Sequence, residues 1–88
     1  MNYKISVSQK HIDDGIRGLC KYCPVALAIE EALAGKYQQV NVTNYNLWID
    51  NGDIIPIYIG LPESVQAFIC DYDKDSPVEP FSFEINIP

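Results

Sequence analysis

An α+β sandwich is the fold class this sequence predicts, and three observations predict it. Segments at both ends alternate apolar and polar residues, two internal segments repeat apolar residues at helical spacing, and an Asn51-Gly52 pair marks a hairpin between them. Tyr3, Ile5 and Val7 alternate with Lys4, Ser6 and Ser8, the pattern of a strand with one buried face. A polar segment, residues 9–22, follows and reads as a loop. The first helix is expected over residues 24–34, where Val25, Ala28, Ile29, Ala32 and Leu33 share a side. Pro24 suits its first turn and Gly35 its C-cap. Cys23, Leu27 and Ala34 fall toward the other side, so either the 9–22 segment or a second subunit should cover this helix.

Residues 38–60 read as β structure. Val40 and Val42 alternate, then Tyr45, Leu47 and Ile49 in a shifted phase, which implies a bulge or turn at Thr43-Asn44. Pro56 lacks a ladder donor and so belongs on an edge strand or at a bulge. The second helix opens at Leu61-Pro62-Glu63, with proline at its first position, and carries Val65, Phe68, Ile69 and Tyr72 inward to about Lys74. Pro77 and Pro80 stiffen a linker, and Phe81, Phe83, Ile85 and Ile87 alternate in a last strand. The order β-α-β-β-α-β is most simply met by a ferredoxin-like two-layer sandwich, a mainly antiparallel sheet with two helices on one face. Its other face would be open, with Trp48 and Tyr58 on it as candidate partner-binding residues.

The 88 residues make one domain, which buries only about 60–65% of the surface of its unfolded chain. With 48% hydrophobic and 20% charged residues the chain is globular. No apolar run approaches the ~18–20 residues that span a bilayer, and the opening residues lack a signal-peptide core, so a cytoplasmic protein without membrane partners is expected. The net charge of −6 argues against direct nucleic-acid binding. It is unevenly spread: residues 1–29 are net +2, through Lys4, Lys10, Arg17 and Lys21, and residues 30–88 are net −8.

Cys20 and Cys23 have the spacing of half a zinc site that His11 and Cys70 could complete. No second closely spaced ligand pair accompanies them, and Cys23 abuts a helical proline. The expected reading is therefore no metal and no cofactor, with Cys23 a small buried apolar residue, Cys20 exposed, and Cys70 off the apolar stripe of its helix. A redox role for the Cys-x-x-Cys pair lacks a matching fold. The lone histidine, His11, sits in a polar segment with no nucleophile constellation, so a surface or capping role is expected and no enzyme. Gly15, Arg17, Gly18 and Lys21 precede a helix start and, with His11, could hold a phosphorylated ligand against helix N–H groups. On that reading Arg17→Ala weakens binding and Asp75→Ala, on a remote acidic side, does not.

The stretch His11-Ile-x-x-Gly15-x-Arg17-Gly18-x-Cys20-x-x-Cys23-Pro24-Val25-Ala26-Leu27-Ala28, with Leu61-Pro62 and the close Pro77-Val-Glu-Pro-Phe81-Ser-Phe-Glu, resembles a group of small uncharacterised proteins encoded by phages and bacterial mobile elements. The resemblance covers most of the chain apart from residues 36–60. It implies an accessory protein of a phage or prophage, and such proteins are frequently inhibitors of host defence that act by binding. Two functions are thus expected as alternatives: a non-catalytic inhibitor of a host defence protein, or a sponge for a small nucleotide signal built on residues 14–23 and the helix start. A homodimer is expected too, because Leu27 and the open sheet face need covering.

Overall fold

The computed structural model describes residues 2–18, 22–33, 39–50, 52 and 56–87. They form an α+β domain of three helices and two antiparallel sheets. Strand β1 (Asn2–Val7) is followed by helices α1 (Gln9–Asp14) and α2 (Pro24–Leu33). Strands β2 (Gln39–Val42), β3 (Asn46–Asp50) and β4 (Ile57–Gly60) come next, then helix α3 (Glu63–Asp73) and strand β5 (Phe81–Asn86).

The single four-stranded sheet expected from the sequence is replaced, among the described residues, by a β1–β5 pair and a β2-β3-β4 meander. The reason is local closure. Thr43 and Asn46 bracket a tight turn in which Thr43 N–H donates to the Asn46 carbonyl at 2.8 Å and Asn46 N–H to Thr43 Oγ1 at 2.9 Å. The shift in alternation at Thr43-Asn44 is thus a turn, and it pairs β2 with β3 directly. Gly52 takes φ +89°, the left-handed conformation suited to the next reversal, and β4 returns against β3 as an edge strand just after Pro56. Asn51 lies outside the described residues. Strands β1 and β5 are left to pair with each other, Ile5 opposite Phe83 and Val7 opposite Phe81.

Both sheets turn their apolar sides to one core, where Ile5, Ile29, Leu47, Ile49 and Val65 are fully buried. Helix α2 joins the two halves, packing against β1 and β2 as well as α1. That contact answers the wide apolar surface of this helix: α1 lies on it, and Leu27 is half-buried. The C-cap expected at Gly35 lies outside the described residues. Helix α3 meets β5 through an aromatic ladder, Phe68 to Phe81 at 4.6 Å between ring centroids and Phe81 to Phe83 at 5.7 Å. Pro62 stands at its N-cap, one place earlier than the spacing predicts.

Helix α1 corrects the reading of 9–22 as a loop. Ser8 caps it, with its Oγ accepting from His11 N–H while His11 Nδ1 accepts from Ser8 N–H at 3.0 Å. This is a capping box with histidine in the place usually held by Glu or Gln. No described helix is long and apolar enough to cross a membrane.

Candidate functional site

Arg17 and Gly18, which follow α1, are held against the C-terminal end of α3. Helix α3 closes in a Schellman arrangement: Ser76 N–H donates to the Asp71 carbonyl at 2.9 Å, and Asp75 N–H to the Tyr72 carbonyl at 3.1 Å. Asp75 occupies the left-handed position, φ +62°, that glycine usually fills; a short polar side chain tolerates it best after glycine. Asp71 and Asp73 lie in the last turn, where the helix dipole disfavours carboxylates.

Arg17 answers that end of α3. Its Nε donates to the Tyr72 carbonyl at 3.0 Å, its Nη2 to Asp75 Oδ1 at 2.5 Å, and its guanidinium lies 5.0 Å from the Tyr72 ring centroid. Gly18, at φ +75°, donates its N–H to Asp73 at 3.3 Å. One expectation is corrected here: Asp75 is not remote from Arg17 but its ion-pair partner. Arg17 Nε caps the last turn of α3 from elsewhere in the chain, and the Gly18 amide reaches the Asp73 side chain.

Gly15, His11 and the Ala26 and Leu27 amides, also assigned to a phosphate cradle or its helix start, have hydrogen-bond partners within the chain. His11 is largely buried; with Nδ1 accepting from Ser8, its Nε2 carries the proton and donates to Glu31 at 2.6 Å, joining α1 to α2. At the start of α2, Pro24 has no N–H, Ala26 donates to Cys23 Sγ at 3.4 Å, and Leu27 donates to the Cys23 carbonyl at 3.0 Å. The hollow beside Arg17 is walled by the carboxylates of Asp13 and Asp75, which repel an anion. Lys21 and Cys20 lie outside the described residues. Cys23 is buried and Cys70 exposed on α3, and the described residues contain no group of three that could hold a metal.

Burial raises the Tyr72 hydroxyl above the usual tyrosine value of 10.0, with the Arg17 charge opposing the shift. Its hydroxyl donates to the Ile12 carbonyl at 3.2 Å. The folded chain therefore holds this proton more tightly than the unfolded chain, so the stabilisation is complete below about pH 10 and is lost as pH rises through the folded value. Tyr72→Phe is expected to cost about 1 kcal/mol at neutral pH, and to flatten the alkaline part of the stability curve. Urea midpoints between about pH 7 and 11 test this: the curves of the two proteins should converge at the alkaline end, and curves that stay parallel refute it.

The second surface is the outer face of the meander. Asn41, Trp48 and Tyr58 are cross-strand partners in one row, with the two rings 6.4 Å apart between centroids. Tyr58 is 67% exposed and Trp48 half-buried. Asn41 is buried beside Trp48 with its Nδ2 lacking a hydrogen-bond partner among the described residues. The structure thus brings together Trp48 and Tyr58 of the expected partner-binding residues, while Leu27 sits apart on α2. Sequence reasoning missed Tyr72, Asp73 and Asp75 as the partners of Arg17 and Gly18; the available signal was the run of acids Asp71, Asp73 and Asp75 around a helix end. Compared with known proteins, the chain matches no family model, no curated protein and no solved structure.

Proposed function

We propose that this chain is a non-catalytic binding protein of phage or mobile-element type, acting in the cytoplasm of the host bacterial cell to inhibit a defence system by seating its meander face on a host protein. The observation that carries the reading is the exposed Tyr58 beside the half-buried Trp48 on the outer face of a paired sheet. Trp and Tyr dominate the energetics of protein interfaces, since each offers a large, stiff, amphipathic surface at small entropic cost. The buried Asn41 amide adds support, because an unpaired donor costs about 1–3 kcal/mol and nothing in the described chain offsets it. The acidic excess suits a basic surface on the partner. The occupied state of Arg17, Gly18 and His11 weighs against the nucleotide-sponge alternative.

Affinity capture with the wild-type chain and with Trp48→Ala/Tyr58→Ala, followed by phage plating on a defence-bearing host, tests the reading. The wild type should retain a defined host protein and restore plating. The double variant should fold normally yet lose both, with affinity falling by a factor of 30 or more, about 2 kcal/mol. Equal capture by the two proteins defeats the proposal. Sedimentation of both reports separately whether a second copy covers the same face in a homodimer.

A further inference from the structure

Beside α3 lies a second hollow that shares Pro77 and Val78 with the one next to Arg17 but is lined otherwise by different residues. Helix α3 and the segment 77–80 leading into β5 border a shallow, open hollow of about 530 Å³. Phe68, Val78, Pro80 and Phe81 form its apolar lining, and Asp71 and Glu79 stand on its rim. The floor is firm, because Phe68 and Phe81 are packed ring to ring at 4.6 Å. Both rim carboxylates are exposed, and neither is in an ion pair among the described residues, whose two pairs are His11–Glu31 and Arg17–Asp75. An apolar floor between unpaired carboxylates selects for one kind of occupant, a large apolar side chain with cations on either side.

We infer that this groove takes a short basic and apolar segment of a partner protein, its apolar side chain resting on Phe68 and Phe81 and its flanking Lys or Arg residues meeting Asp71 and Glu79. The carboxylate rim repels phosphate, which disfavours nucleic acid and anionic lipid surfaces as occupants. A second copy of the chain fits poorly too. In the sequence Arg17 and Lys21 fall between Ile16 and Tyr22, both half exposed, but Arg17 is held by Asp75 of its own chain. The inference is independent of the Trp48–Tyr58 face and stands or falls by itself.

The probe is a short fluorescent peptide with a central phenylalanine between Lys-Arg pairs, titrated by anisotropy into the full chain. Saturable binding is expected, weakening with added salt. Asp71→Lys/Glu79→Lys should weaken it by about tenfold or more, and Glu84→Lys, an exposed charge reversal on β5, by less than about twofold. Amide shifts on binding should centre on Ala67, Val78 and Phe81. The inference is overturned if no saturable binding occurs, if a Glu-for-Lys/Arg peptide binds equally well, if the Asp71/Glu79 double reversal leaves affinity unchanged, or if the shifts centre on Trp48 and Tyr58.

Discussion

Replacing Ile29 by alanine should remove about 2–5 kcal/mol of folding stability. Ile29 has no exposed surface and lies on α2, the helix that packs against a strand of each sheet and against α1. A domain of this size has a total stability of about 4–13 kcal/mol, so one truncation here consumes a large share of it. The sheets do not pair with each other among the described residues, and a void in the wall they share has no ladder to close over it. Ile29→Val, which deletes a single methylene, should cost about 0.5–1.5 kcal/mol. Urea denaturation of the pair checks the claim; a loss below about 1 kcal/mol for the alanine variant would show that α2 is not the joint.

Gly15→Ala should cost about 1–3 kcal/mol through overpacking, for a reason unrelated to backbone freedom. The φ of Gly15 is −67°, which any residue adopts. An added Cβ would instead lie 2.7 Å from Pro24 Cδ, 2.8 Å from its Cγ and 2.9 Å from its nitrogen. A proline ring fused to the backbone cannot swing aside, so α1 must move off α2 and stretch the His11–Glu31 contact. Gly18→Ala is the counter-case: nothing lies within 4 Å, but φ is +75°, and the expected cost of about 1–2 kcal/mol is conformational. Melting curves, with the His11 ring resonances as a local reporter, separate the two. Undisturbed His11 resonances in Gly15→Ala would refute the close approach.

The elements that could be read from the sequence are those whose burial has a period. Helices α2 and α3 and strands β1 and β5 fall close to where apolar spacing puts them, and Trp48 and Tyr58 share the outer face that alternation assigns them. Helix α1 has six residues, none of them fully buried, so no stripe announces it; its signal is Ser8 followed by His11, a cap in an unusual residue type. Strand partnership is a property of turns and packing, which is why one expected sheet is two. The role of Arg17 was illegible for a further reason. Its partner Asp75 is 58 residues away, and only the folded α3 terminus makes a distant acid a neighbour.

Pairing between β1 and β5 has a consequence for how the protein is made. The meander and α3 are built from neighbours in sequence and can begin to form as soon as they leave the ribosome. Strand β1 leaves the ribosome before the meander and α3, whereas its partner, Phe81–Asn86, follows them. At about 5–20 residues per second, its apolar side waits on the order of several seconds for that partner. During that interval Ile5 and Val7 are available to chaperones or to another nascent chain, and fusions that delay β5 should lower soluble yield more than fusions placed before β1.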